Sequence, residues 1–372
     1  MNRIPVIELS PHDPDGVRRF VELERKLVGK NSLFVSEFDR DLIHHLSGKS
    51  AVFSEVEHSL FIAYDENQAV TRCAAIINHK YQQAKNEAVG MIGFLAAAPK
   101  CKKQVLAMLA KAESWLKHRG VQRIIAPFNA NVMLGCGLLV MDYDQEPIIT
   151  YGWNPPYYVD YMVAAGYQPT YPLLVYKVDL ASPEFKNALD RARHNQAFQI
   201  RPIRKKHLHA ELETFRTLIN DNFINEWEWY PVTSAEFQEF FDPMKPGIDP
   251  HQMLIAEVEG KPAGVCIGLP NWSPLLRGFQ GRLGMLQMLQ FLIGCRRYQN
   301  AGLAFAAVSA EHRGCGMATA LEVSVCQRYE QLGVKNVYGY TVNPDNLASR
   351  HVIESIGGTG RVMYQAYDKN LV

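Results

Sequence analysis

Apolar positions in the first half of the chain follow two periods in turn. Val17, Phe20, Leu23 and Leu27 fall three or four residues apart and predict a helix from Asp15 to Val28. Ser59 to Tyr64 and Ala69 to Asn78 read as two strands around the turn Asp65-Glu66-Asn67-Gln68. Ala88 to Leu95 is a further apolar strand. Val105, Leu106, Leu109, Ala112 and Leu116 share one face of a helix from Lys102 to Arg119, which Gly120 stops. Val121 to Ala126 is then a strand, Tyr157 to Ala165 a short helix, and Tyr171 to Val178 a closing strand. Arg3 to Leu9 alternates well enough to be the first strand of the set.

The second half repeats that order. Phe198 to Ile203 is a strand, Leu208 to Asn220 a helix, and Gln252 to Val258 with Ala263 to Leu269 a hairpin around Glu259-Gly260-Lys261-Pro262. Ala304 to Ser309 is a small, apolar strand, followed by a glycine-bearing turn and a helix to about Gly333. Strand Asn336 to Val342 comes next, then a helix opened by Asn343-Pro344-Asp345-Asn346 and closed by Gly357-Gly358, and a last strand, Arg361 to Tyr367. The element order implies a duplication with a period of about 190 residues. We expect an α/β (α+β) chain with one module over 1–180, a polar linker over 181–196 around Ser182-Pro183, and a second module over 197–372.

Composition narrows the class. Apolar residues make 47% and charged residues 21%, the proportions of a globular protein. A formal charge of +1 without a basic block leaves no footprint for nucleic acid. Seven scattered cysteines, an odd count with no C-x-x-C, indicate neither a disulfide framework nor a metal site. The N-terminus lacks the apolar core of a signal peptide, and no apolar run approaches the roughly 20 residues that span a bilayer. The expectation is a cytoplasmic protein. Duplication can replace a homodimer, which favours a monomer.

The chemistry centres on Arg313-Gly314-Cys315-Gly316-Met317-Ala318, with spacing R-x-x-G-x-A between a strand and a helix. Two glycines admit backbone angles closed to other residues and let a ligand approach the main chain. Amides of a first helical turn have no partners inside the helix, and the dipole behind them favours an anion. The turn therefore reads as a cradle for a phosphate or pyrophosphate.

Strand, R-x-x-G-x-A, helix, strand, N-x-x-N, helix, G-G, strand resembles the acetyl-CoA-binding half of the GCN5-related N-acetyltransferase (GNAT) superfamily. The resemblance implies two tandem modules, each with a mixed, mostly antiparallel central sheet flanked by helices. It implies acetyl-CoA or another acyl-CoA as co-substrate, with no metal. The CoA roles would fall on Val308, Arg313, Gly314, Cys315, Gly316, Met317, Ala318 and Thr319, with Asn346 near the pantetheine arm. Many members carry a tyrosine seven residues after the N-x-x-N asparagine as general acid, and here that position is Ile353. Tyr340, or Tyr338 on the same strand face, is the alternative acid. The first half has Ala96-Ala97-Ala98-Pro99-Lys100-Cys101-Lys102 in place of the turn. It lacks the glycines, and Pro99 lacks an amide donor, so no CoA site is expected there.

Ala126-Pro127-Phe128-Asn129, Cys136-Gly137-Leu138-Leu139-Val140 and Pro155-Pro156-Tyr157-Tyr158 resemble elements of a bacterial group of two-module proteins in this superfamily. Some related acyltransferases of that group work on long-chain amines. On the acceptor side, Glu226-Trp227-Glu228-Trp229-Tyr230 offers three aromatics, Trp227, Trp229 and Tyr230, for cation–π contact with an amine. It also offers Glu228 and Glu226 as general bases. Residues 271–299 hold Leu283, Met285, Leu286, Met288, Leu289, Phe291, Leu292 and Ile293, flanked by Arg277, Arg282, Arg296 and Arg297. With apolar residues on every side, this segment must bury in protein, line an acyl channel, or lie on a membrane surface through 277–297. Ordinary burial is the commonest of these fates.

The function expected is an acyl-CoA-dependent N-acyltransferase in which a primary amine, small or lipid-like, attacks the thioester directly. The alternatives are long-chain transfer to a lipid-like or sphingoid amine, and a non-catalytic CoA-binding sensor or scaffold.

Overall fold

The computed structural model describes residues 4–147, 151–193 and 197–371. In chain order, the first half runs β1 (Val6–Leu9), α1 (Pro14–Val28), α2 (Asp39–Leu46), β2 (Val56–Asp65), β3 (Gln68–Asn78), α3 (His79–Lys85), β4 (Val89–Ala97), α4 (Lys102–Lys117), β5 (Arg123–Ala126), β6 (Leu138–Leu139) and α5 (Tyr157–Ala164). Next come β7 (Gln168–Asp179), α6 (Pro183–Arg193), β8 (Gln199–Pro202), α7 (Leu208–Phe223), α8 (Ser234–Phe241), β9 (Met253–Val258) and β10 (Lys261–Pro270). The chain ends with α9 (Ser273–Arg277), α10 (Met285–Gly294), β11 (Asn300–Val308), α11 (Met317–Gln331), β12 (Asn336–Val342), α12 (Leu347–Ser355) and β13 (Thr359–Asn370). Local chemistry sets several of these ends. Asp13 caps α1, accepting the Asp15 N–H at 3.2 Å, with Pro14 in the first turn. Thr233 and Glu236 form a reciprocal capping box at α8.

The chain divides into two compact units. One comprises Met1–Pro172, Ser273–Gln290 and Met363–Val372; the other comprises Leu173–Trp272 and Phe291–Val362. In the first unit the strand order is β1-β2-β3-β4-β5-β13. Within it β4 and β5 run parallel, whereas β1–β2, β2–β3, β3–β4 and β5–β13 are antiparallel. In the second the order is β8-β9-β10-β11-β12-β7, with β11 and β12 parallel and the other pairs antiparallel. The units thus share one topology, a mostly antiparallel sheet with flanking helices.

Two expectations about boundaries change. Of the linker expected over 181–196, residues 194–196 lie outside the described residues and 181–193 are not a linker. Pro183–Arg193 is a helix, and Phe185, Ala188 and Leu189 sit in the core of the second unit. The last strand of each unit also comes from the other half of the chain. The end of β7, from Leu173, completes the second sheet by pairing Asn336↔Asp179 and Val337↔Val178 on β12. The end of β13, from Met363, completes the first by pairing Tyr367↔Ala126 and Asp368↔Ile125 on β5.

Each unit has its own core. In the first, the buried face of α4 (Val105, Met108, Leu109, Ala112, Leu116) lies in one cluster with apolar side chains of β2 to β5. In the second, Leu321, Val325, Cys326 and Tyr329 of α11 gather with Val337, Ile353 and α6. Each large side chain so buried contributes about 1.5–3 kcal/mol, which sets both central helices as anchors.

The segment 271–299 departs from the expectation of ordinary burial. It forms two short helices, α9 and α10, and α10 exposes Met285, Leu286, Leu289, Leu292 and Ile293. One apolar anchor, Phe291, is buried edge-on against Trp272 at 5.1 Å between ring centroids. Arg282, Arg296 and Arg297 are exposed at its two ends. No helix among the described residues is long and apolar enough to cross a membrane.

Candidate active site

The site in the second unit begins with a break in a ladder. On β11, Leu303 faces Gly268 and Phe305 faces Ile267, which leaves Ala304 as an extra residue, a β-bulge. A bulge bends its strand, and β11 leaves β12 at that point: the parallel pairs run from Asn300↔Asn336 to Leu303↔Gly339 and then stop. Beyond them one edge of β11 is open. The Ser309 N–H donates to Ala263 O at 2.8 Å, and Val308 stands opposite Gly264. Alternation in an antiparallel ladder then turns the Val308 N–H and C=O away from β10, toward the open edge. The Ser309 amide is therefore committed and the Val308 amide is available.

The turn follows directly. Gly314 and Gly316 both take φ = 81°, the left-handed region, and residues 313 to 316 are exposed. Gly316 caps α11, and Ala320 N–H makes the first capping-turn bond, to Gly316 O at 3.0 Å. The amides of Met317, Ala318 and Thr319 precede that bond and have no intrahelical acceptor. Arg313 extends from the turn to Asn222 Oδ1 at 3.2 Å, and the exposed Cys315 thiol rests on His312 O at 3.0 Å. A Cβ on Gly264 would lie 2.7 Å from Met317 Sδ, so a bare backbone on β10 is what lets α11 pack this close behind the turn.

The acceptor side is built by α7 and the loop after it. Trp229 is buried with its ring 5.7 Å from Phe223 and 5.8 Å from Phe305 of β11, and its Nε1–H donates to Asn220 at 3.2 Å. Tyr230 is buried too, its hydroxyl 3.1 Å from Glu236. Both were expected to meet an amine, yet their rings and polar atoms are occupied within the fold. Trp227 is the half-buried member of the trio. Glu226 is held by Asn346 Nδ2 at 2.7 Å and by Asn343 Nδ2 at 3.4 Å, so the acidic loop and the N-x-x-N motif meet in one place. Sequence spacing carried no signal of that meeting. Glu228 is buried beside it in the chain. Val337 faces the core, so alternation puts Tyr338 on the opposite face, where it is half-buried. Tyr340 lies on β12, and its side chain is outside the described residues. Ile353 is buried against Gly339 as a core residue, far in character from a proton donor. Among the described residues there is no cluster that could hold a metal ion.

Comparison with known proteins agrees with this geometry. Residues 212–357 match the model of the acetyltransferase (GNAT) family. Those residues form a GNAT-family domain. It is 25% identical over 370 residues to a bacterial ceramide synthase of Caulobacter vibrioides, covering 96% of both chains. It is 28% identical over 244 residues to protein YghO of Escherichia coli, a match that spans 62% of that protein. Among solved structures, a tandem GNAT protein from the clavulanic acid biosynthesis pathway superposes with a TM-score of 0.57 at 11% identity, covering 99% of this chain and 98% of that one. A GCN5-related N-acetyltransferase from Sphaerobacter thermophilus gives 0.51 at 14% identity, covering 100% and 96%. At such identities the structures establish the fold, that of tandem GNAT modules.

The first module repeats the bulge. Ala74 faces Gly93 and Arg72 faces Ala96, so Phe94 and Leu95 stand across from Cys73 alone, and Phe94 takes φ = 51°. Its parallel pairs also stop early, at Met91↔Ile125. Here an amide within the bulge is occupied: Phe94 N–H donates to Asn129 Oδ1 at 2.7 Å. Tyr158 takes the Ala97 N–H on its hydroxyl at 2.6 Å, and Tyr157 donates to Ala97 O at 3.0 Å. Those two tyrosines tie down the segment where a CoA turn would start, and Pro99 follows. The first module thus shares the strand break of the second, and its own side chains bond the Phe94 and Ala97 amides beside it.

Proposed function

We propose that the second module binds an acyl-CoA and transfers the acyl group to a primary amine. The observation that carries this is the conjunction on one strand: an open Val308 amide on β11, five residues before a left-handed glycine turn whose amides have no helical acceptors. The diphosphate would sit on the amides of Gly316 to Thr319, with Arg313, Gly314 and Cys315 around it, and the pantetheine along the open edge of β11. The amine nitrogen attacks the thioester carbonyl, whose oxygen Val308 N–H stabilises. The C–S bond breaks, the amide N–C bond remains, the amine proton passes to Glu226 or Glu228, and Tyr340 protonates the thiolate. Glu226 is the better-positioned base in this scheme, because Asn346 and Asn343 fix the orientation of its carboxylate.

A lipid-like acceptor is the second reading, and α10 favours it. Five exposed apolar side chains between exposed arginines suit an anionic membrane surface, with the arginines at headgroup level. The ceramide synthase relative points the same way. The test is CoA release, followed with a thiol-reactive dye, from acetyl-CoA and palmitoyl-CoA over a panel of short and long-chain amines. Release that depends on the amine supports transfer, and the preferred donor and acceptor decide between the two readings. Tight CoA binding with no release on any amine would reduce the protein to a sensor.

A further inference from the structure

Arg201, Arg216 and Arg328 of the second unit each meet a carboxylate, on Glu211, Glu213 and Asp249 in turn. Arg313 meets an amide instead. Its Nη2 donates to Asn222 Oδ1 at 3.2 Å, and no carboxylate pairs with it among the described residues. A carboxylate partner would offset the charge that a diphosphate attracts. A neutral acceptor orients the guanidinium and leaves its charge whole.

Asn222 is itself held. Its Nδ2 donates to Leu218 O at 2.8 Å, one turn back on α7, so Oδ1 is the atom offered to Arg313. The bond between them lies in water, where ties of this kind add little to stability. What it sets is direction. The stretch that begins at Asn222 also reaches the acceptor side. Glu226 N–H donates to Phe223 O at 2.9 Å and Trp229 N–H to Glu226 O at 3.2 Å, so residues 222–229 run as consecutive tight turns. Phe223 and Trp229 pack on Phe305 of β11, with ring centroids 6.0 and 5.8 Å away, which anchors the piece. Its start touches the cradle through Arg313, and its Glu226 takes Asn346 and Asn343.

We propose that Asn222 is a positioning residue for the donor: it aims Arg313 at the diphosphate and joins that grip to the piece of chain that carries Glu226. The role rests on the donor-site reading above and adds to it a residue outside the R-x-x-G-x-A turn, on the helix that builds the acceptor side. A diphosphate held by Arg313 pulls on Asn222, and the anchored turns carry that restraint to Glu226. Part of the binding energy of a group remote from the thioester is then expressed in kcat rather than in KM.

The experiment compares ligands with and without the diphosphate on the full-length protein. Calorimetry uses CoA and pantetheine; turnover uses acetyl-CoA and S-acetylpantetheine with one amine. In Asn222→Ala the CoA Kd should rise about tenfold, as for one loosened contact to a charged group. The pantetheine Kd should stay within about twofold. In an Arg313→Ala background the Asn222 change should add nothing further, because its effect passes through that guanidinium. The kcat advantage of acetyl-CoA over S-acetylpantetheine should fall severalfold in Asn222→Ala. An unchanged CoA Kd in the folded variant, an equal loss for pantetheine, or additive effects of the two substitutions would each overturn the role of Asn222. An unchanged kcat ratio would overturn the link to Glu226. A parent protein that binds no CoA would remove the donor site and the role of Asn222 together, a failure distinct from the others.

Discussion

Two glycines flank α11 with the same backbone strain. Gly314 has φ = 81° and Gly333 has φ = 83°, and a Cβ on either meets nothing within 4 Å. Alanine at each position therefore costs about 1–2 kcal/mol for the left-handed conformation and nothing for crowding. Spread over a unit of this size, each variant should melt about 2–4 °C lower per kcal/mol lost. Only Gly314 belongs to the proposed cradle. Relaxation of the strained turn would turn one or two amides off the diphosphate, and hydrogen bonds to charged groups are worth about 1.5–3 kcal/mol each. At about 1.4 kcal/mol per decade, the CoA Kd should rise about 10- to 100-fold or more in Gly314→Ala. In Gly333→Ala it should stay within about twofold, since the same strain sits at the far end of the helix. Calorimetry with CoA and thermal melts on the two proteins give both numbers. Equal effects on Kd, or none at 314, would refute the placement of the diphosphate.

Glu226→Gln should lower kcat/KM for amine acylation by about 10²–10⁴-fold at neutral pH with CoA affinity unchanged, as removal of a general base does. Asn346→Ala, which frees that carboxylate, should lower kcat in the same assay. Replacing Leu289 and Ile293 together with glutamate should abolish sedimentation with anionic vesicles and leave the melting temperature within about 1 °C, because both side chains are already in water. Glu322 of α11 is buried, and burial raises its carboxyl to about 8. The folded state then holds a proton that the unfolded state releases above the ordinary glutamate range. Stability falls as pH climbs from about 4.5 toward 8 and is fully present below that window. The melting-temperature advantage of Glu322→Met over the parent should therefore widen between pH 5 and pH 8.

What the amino-acid order announced was whatever depends on neighbours in sequence. The turn at Gly314 and Gly316, the amphipathic face of α4 and the two hairpins follow from spacing alone, and each lies within a few residues of its expected place. Misreadings arose where the partner is remote. The helix Pro183–Arg193 looked like a polar spacer, although Phe185, Ala188 and Leu189 carry a helical period that acquires meaning only against the second core. Trp229 and Tyr230 have the composition of an amine cage, and Asn220 and Glu236, nine and six residues away, claim their polar atoms. The apolar face of α10 suggested burial because hydropathy cannot tell a covered surface from one awaiting a partner. β7 and β13 read correctly as strands, but alternation specifies a face and never an adjacent strand.

The first unit leaves the ribosome first, yet the strand that pairs with β5 is made last. Until residues 363–370 emerge, that sheet has an unsatisfied margin of N–H and C=O groups, an invitation to the wrong neighbour. The second unit has all six of its strands once β12 is made, whereas the first still waits for residues 363–370. Cutting the gene at its apparent midpoint would yield two fragments, each carrying the other's missing piece.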